Sequence, residues 1–169
     1  TNESMSNYMK QALTSIRKWK IIRLYILSFT TFLITFGPIV AYLPLLMADR
    51  FGSTPFSIGM VMTVASLSSG VFSTYLGKIS GFMRANHMLA IAFALYTIAF
   101  FWISKTLTPW HLLITGAMFG IGQGLNIPNI QAMLVGLAPI EVRGVFMAFN
   151  SMVILLGITG GPIVASLIF

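Results

Sequence analysis

Five long apolar stretches, separated by short polar breaks, dominate this sequence of 169 residues. The predicted spans cover residues 21–47, 57–76, 87–103, 110–137 and 144–169. A helix needs ~20 residues to cross the hydrocarbon core of a bilayer, and no stretch alternates polar and apolar residues as a β-strand would. The sequence therefore predicts an all-α fold, a polytopic transmembrane helix bundle with five spans.

The composition excludes a water-soluble globule. Hydrophobic residues make up 57% of the chain and charged residues only 8%, too few to cover a soluble surface. The sequence has no cysteine, which excludes disulfides and thiolate metal sites. It also shows no nucleophile–base pair, metal-ligand cluster or phosphate-binding loop. We therefore expect a protein that is not an enzyme and that uses no cofactor and no metal.

The ten basic residues are distributed unevenly between the two ends of the predicted spans. Eight of them lie around the start of the first span or in the second and fourth connections: Lys10, Arg17, Lys18, Lys20, Arg23, Lys78, Arg84 and Arg143. Only Arg50 and Lys105 lie on the opposite side. The positive-inside rule then predicts a multi-pass protein of the plasma membrane with a cytoplasmic N-terminal segment. The excess positive charge is expected to meet lipid headgroups and not nucleic acid.

Residues 1–20 differ in composition from the predicted bundle at residues 21–169. Their apolar side chains recur at spacings of three and four between basic residues. This pattern is typical of an amphipathic helix that lies on the membrane surface, here as a cytoplasmic linker. A disordered linker is the alternative.

The second span carries a stripe of small residues at spacings of four and three. Its members are Gly59, Thr63, Ser66, Gly70, Ser73 and Gly77. Within lipid, small residues let two helix backbones approach closely and gain dispersion contacts. The stripe therefore predicts a close helix interface, either within the bundle or as a sliding surface between two bundles.

The first and fourth spans contain Pro38 and Pro128, and both carry polar side chains at membrane depth. Such side chains are costly unless they meet partners, water or a solute, so these spans are predicted to line a central cavity. The candidate solute-binding residues are Thr31, Thr35, Tyr42, Met118, Gln123 and Asn126. The alternative is that the amides bond only to neighbouring helices and the hydroxyls to their own backbone.

Three motifs resemble the C-terminal half of a major facilitator superfamily transporter. Residues 157–162, GITGGP, fit the GxxxGP pattern of the family's eleventh helix. Residues 139–144, PIEVRG, resemble its cytoplasmic P-x-E-x-R-G turn. Residues 77–84 lie where the family has a GxLaDRxGR loop, with Gly81 in the aspartate position. The five spans would then correspond to helices seven to eleven of a longer polypeptide.

The resemblance implies alternating access, in which two helix bundles rock around a site for a small-molecule substrate. The second and fifth spans would contact the missing N-terminal half. The interface and conformational residues implied are Gly59, Ser66, Gly70, Gly77, Lys78, Arg84, Arg143, Gly157, Gly161 and Pro162.

The chemistry of the spans favours a lipophilic or neutral solute. No Asp, Glu, Lys or Arg lies in the middle of a span, so a proton-coupling group would lie outside this chain. A cavity of amides, hydroxyls, aromatics and methionine suits such a solute, and the resemblance implies an exporter of drugs or metabolites. A passive facilitator or channel and a non-transporting scaffold or sensor are the alternatives.

Overall fold

The computed structural model describes residues 16–168. Their elements are α1 (Trp19–Ile34), a π-helical segment (Thr35–Tyr42), α2 (Leu43–Phe51), α3 (Pro55–Phe82), α4 (Ala85–Lys105), α5 (His111–Leu137), a 3-10 turn (Ile140–Val142) and α6 (Arg143–Ile168). The described residues contain no strand, and the all-α prediction is confirmed. Most of the linker predicted at residues 1–20 lies outside the described residues.

The first predicted span is one continuous helix with a wider segment around its proline. Pro38 lacks the backbone N–H needed for a regular α-helical bond, and the segment Thr35–Tyr42 around it is π-helical. The helix then continues as far as Phe51. In α5 the helix is continuous across Pro128, so that proline does not break the helix.

Helix α3 extends beyond the second predicted span, residues 57–76, at both ends. Its start is stabilised by Thr54, whose side-chain oxygen accepts the N–H of Ser57 at 3.3 Å, with Pro55 following as the first helical residue. Its end lies at Phe82, so the segment that resembles the family's cytoplasmic loop forms the last turns of α3. The apolar composition marked the edge of the hydrocarbon, and the helix continues past that edge.

The chain divides into two compact units. The first unit contains residues up to Tyr42 and from Ile130 onward, and the second contains Leu43–Asn129. In the first unit, α1 and α6 run parallel. The residue numbers of contacting pairs rise together along the two helices. The contacts join Tyr25 to Phe146, Ser28 to Asn150, Phe29 to Gly157 and Gly37 to Gly161.

In the second unit, α5 packs between two neighbours that run in opposite directions. It is parallel to α3, where the contacts join Gly116 to Val61, Gly120 to Ala65 and Gly124 to Ser69. It is antiparallel to α4, where the contacts join Phe119 to Phe100, Gly122 to Tyr96 and Asn129 to Ala85. This is the order expected of consecutive up-and-down membrane helices.

Four described helices are long and apolar enough to cross a membrane: Trp19–Phe51, Pro55–Phe82, Ala85–Lys105 and Ile140–Leu167. Helix α5 has 27 residues, but its glycines and amides make it less apolar. The direction of packing supports α5 as a further span, the fourth along the chain. If only α3 and α4 crossed the membrane between them, α1 and α6 would be antiparallel. A third crossing by α5 makes α1 and α6 parallel, as observed.

Candidate functional site

The threonine hydroxyls predicted to face a cavity bond to their own helix. Thr31 donates to the carbonyl of Leu27, and Thr35 donates to the carbonyl of Thr31, each at 2.7 Å. Both residues are buried, whereas Tyr42, at the end of the π-helical segment, is partly exposed. A hydroxyl bonded four residues back is satisfied in apolar surroundings, so these bonds account for the two threonines without a solute.

Two hydrogen bonds join α1 to α6 inside the first unit. The Tyr25 hydroxyl donates to the carbonyl oxygen of Phe146 at 3.2 Å, and Ser28 Oγ donates to Asn150 Oδ1 at 2.9 Å. The Tyr25 ring also meets Phe149 edge-on, with 5.0 Å between ring centroids. The sequence interpretation missed Asn150, although an amide within an apolar span was the signal that could have found it.

The GxxxGP motif of α6 forms the closest part of the same contact. A Cβ on Gly161 would lie 2.7 Å from the backbone nitrogen of Gly37, and one on Gly157 would lie 2.8 Å from the carbonyl oxygen of Phe29. Both glycines therefore serve an interface within this chain. The neighbouring Gly160 has open space where a Cβ would be, and Pro162 is exposed.

The amides of α5 in the second unit differ in their surroundings. Asn126 is fully buried, and its Nδ2 donates to the Tyr96 hydroxyl at 3.4 Å. Asn129 Nδ2 donates to the carbonyl oxygen of Ala85 at 2.9 Å. Both bonds join α5 to α4, as in the alternative interpretation in which the amides bond to neighbouring helices and not to a solute. Gln123 and Met118 are only partly buried.

The small-residue stripe of α3 lies on a face that the described residues leave open. All six of its members are exposed. A Cβ on Gly59, Gly70 or Gly77 would meet no atom within 4 Å. The packed face of α3 is a different one, which contacts the glycines of α5 through Val61 and Ala65. Within the part of the chain that is described, the stripe is therefore not an intramolecular interface.

The basic residues of the two resembling loops make local contacts. Lys78 Nζ lies 5.5 Å from the centre of the Tyr75 ring, at cation–π distance. Arg143 Nε donates to the carbonyl oxygen of Ala138 at 3.4 Å, which ties the start of α6 to the preceding turn. Arg84 directly precedes α4 and is exposed.

Long apolar helices joined by glycine contacts and buried amide bonds define a multi-pass α-helical membrane protein. The chain belongs to the Major Facilitator Superfamily, which matches residues 24–169. This confirms the resemblance on which the transporter interpretation depends. The family points to a transporter and not to an enzyme.

Similar proteins carry names that refer to drug resistance and efflux. Multidrug resistance protein MdtG of Enterobacter lignolyticus is 21% identical over 162 residues, which cover 94% of this chain and 39% of that protein. The multi-drug resistance efflux pump PmrA of Streptococcus pneumoniae is 27% identical over 167 residues, which cover 93% and 40%. The chain thus spans about two fifths of the length of these relatives. No solved structure matches the chain significantly.

Proposed function

We propose that this chain forms most of the C-terminal half of a secondary active transporter that exports a small lipophilic or neutral solute by alternating access. Family membership supports secondary transport. The names of MdtG, a multidrug resistance protein, and PmrA, a multi-drug resistance efflux pump, support drug export. The transporter would lie in the plasma membrane with the N-terminal segment of this chain in the cytoplasm. Any proton coupling would use residues outside this chain.

The observation that carries the proposal is the open stripe of small residues on α3. Gly59 and Gly77 are 18 residues apart, so the stripe is ~27 Å long at ~1.5 Å per residue. That length is close to the ~30 Å thickness of the hydrocarbon core. A smooth surface of this length offers little resistance to a second bundle sliding along it. An N-terminal half of the same transporter is the proposed partner.

Replacing Gly70 by leucine tests this sliding surface. We expect the α3–α5 contact to persist, because a Cβ at Gly70 meets no atom of residues 16–168 within 4 Å. In the full transporter, the leucine should hold the two halves apart or lock one state. Export should fall at least ~tenfold, which corresponds to ~1.4 kcal/mol. The measurement is solute export from cells, normalised to the amount of transporter in the membrane.

The matched control is Gly70→Ala, which adds one methyl group and should retain most of the export. Labelling of single cysteines from each side of the membrane reports which access state is populated. Export and two-sided labelling that remain unchanged in Gly70→Leu would contradict a sliding role for the stripe. The absence of measurable export by the unmodified protein would instead favour a non-transporting scaffold or a sensor.

The α5 amides give a second test, which separates a solute contact from a structural one. Gln123→Ala should lower export without lowering the membrane abundance of the transporter, because Gln123 is only partly buried. Asn126→Ala should lower abundance as well, since it removes a bond to buried Tyr96. Such bonds within membrane helices contribute ~0.6 kcal/mol on average. The measurements are export kinetics and thermal unfolding in detergent.

The control for the second test is Tyr96→Phe, which removes the same hydrogen bond from α4. It should reproduce the part of the stability loss of Asn126→Ala that comes from this bond. Normal export kinetics in Gln123→Ala would remove Gln123 from the solute site. Export that only ever follows the solute gradient would identify a passive facilitator instead of a secondary active transporter.

A further inference from the structure

An apolar groove lies between α1 and α6 in the first unit. Its volume is about 510 Å³, within the ~300–1,000 Å³ range of small-molecule sites. Its walls are Ile22, Ile26 and Phe29 from α1 and Phe149, Val153 and Leu156 from α6. Arg17 is the one charged residue among those that line it. The surface of the groove is therefore almost entirely apolar, and the exposed Arg17 is the charged residue that adjoins it.

Among the described residues that line the groove, no other side chain has a free polar group. The Tyr25 hydroxyl, which also lines it, is already bonded to the carbonyl oxygen of Phe146. The wall side chains are accessible, with Ile26 52% exposed and Leu156 62% exposed. An apolar surface that is open to one side and lacks polar partners fits a hydrocarbon chain.

Positive charge is concentrated at one end of this groove. In the described part of the first unit, five basic residues stand against one acidic residue, Glu141. The basic residues are Arg17, Lys18, Lys20, Arg23 and Arg143. All six lie near the N-terminal ends of α1 and α6, which run parallel and therefore begin on the same side of the membrane.

Two features identify this end as the level of the lipid headgroups. Trp19 is 68% exposed at the start of α1, and exposed tryptophans are enriched where the bilayer meets water. Arg17, two residues before Trp19, is exposed as well. Clusters of Lys and Arg next to a membrane helix attract acidic lipids.

We propose that the groove binds an acidic phospholipid, with its phosphate on Arg17 and an acyl chain along the α1–α6 walls. The helix α1 begins at Trp19, and from Trp19 to Phe29 it advances 10 residues, or ~15 Å, in the direction from headgroup to membrane interior. The guanidinium can bind two phosphate oxygens at once. The inference depends on the membrane placement of the chain and not on the solute or the direction of transport.

The first experiment measures lipid binding to the full-length transporter by native mass spectrometry in neutral detergent. The probes are phosphatidylglycerol and phosphatidylcholine with identical acyl chains. Arg17→Gln should weaken phosphatidylglycerol binding about fivefold, the effect of one basic residue near a membrane surface. Binding of phosphatidylcholine, whose phosphate charge is offset by its choline cation, should weaken less. The control Lys105→Gln removes a basic residue from the end of α4 and should leave both affinities unchanged.

A second variant tests the groove instead of the charge. Val153→Trp adds bulk to the wall and should weaken binding of both lipids. Equal lipid preference in Arg17→Gln and the unmodified transporter would overturn the proposal. Stabilisation of the transporter by inorganic phosphate to the same extent as by phosphatidylglycerol would also overturn it, because the acyl chain would then be irrelevant.

The third measurement identifies the occupant directly. Ile26 is replaced by the photoreactive residue benzoylphenylalanine in the full-length transporter, which is then irradiated in vesicles containing phosphatidylglycerol. The expected product is the transporter with one phospholipid attached, detected by its mass. A crosslink to another helix of the transporter would show that protein covers the groove, and the proposal would be wrong.

Discussion

Gly161→Ala should destabilise the transporter by ~1–3 kcal/mol, the usual cost of extra volume in a packed interior. The added Cβ would lie 2.7 Å from the nitrogen of Gly37 and 2.8 Å from the carbonyl oxygen of Leu33. Both are backbone atoms, so the contact cannot be relieved by rotating a side chain, and α1 and α6 must separate. The measurement is thermal unfolding of the full-length transporter in detergent.

The adjacent residue provides the control for this prediction. Gly160→Ala makes the same chemical change in the same helix, but its Cβ would meet no atom within 4 Å. Alanine is a better helix former than glycine, so Gly160→Ala should be neutral or slightly stabilising. Equal stability of the two variants would contradict the close α1–α6 crossing.

Gly120→Ala should have a comparable or larger effect on the second unit. A Cβ there would overlap the carbonyl oxygen of Ala65 and lie 2.9 Å from the Cβ of Ser68. We expect a loss of at least ~1–3 kcal/mol and reduced abundance in the membrane, because α3 and α5 must move apart. Thermal unfolding and quantitative immunoblotting of membranes measure these two quantities.

Gly136→Ala is the matched variant near the end of α5. Its Cβ would meet no atom within 4 Å, so the unfolding temperature should not fall. A Gly120→Ala transporter as stable as the unmodified one would mean that α3 and α5 do not touch at this glycine. The effect at Gly120 can be compared directly with that at Gly161, since each clash is with backbone.

Sequence reasoning predicted the helices because each apolar stretch is much longer than a buried strand. It placed the end of the second span at residue 76, whereas α3 continues to Phe82. Hydropathy reports the edge of the hydrocarbon, but backbone hydrogen bonding continues a helix beyond that edge. The small-residue stripe of the second span predicted a close helix interface, but among the described residues the close glycine contacts are made by α5 and α6.

The candidate site was predicted less completely than the helices. The composition of α5 marked Gln123 and Asn126 as costly in a membrane, and the structure gives Asn126 a partner on α4. Only the packing direction of α4 brings Tyr96 to that amide. Tyr96 itself looked like an ordinary aromatic residue in an apolar span, so the sequence offered no signal for the pair.

The pairing of α1 with α6 has a consequence for biosynthesis. Tyr25 and Phe146 are 121 residues apart, so α1 enters the bilayer long before its partner exists. At ~5–20 residues per second, translation of the intervening chain takes roughly 6–24 s. During that interval the backbone around Gly37 is covered by lipid or by another protein that binds transiently. Assembly of the first unit must therefore wait for the last helix of this chain to leave the ribosome.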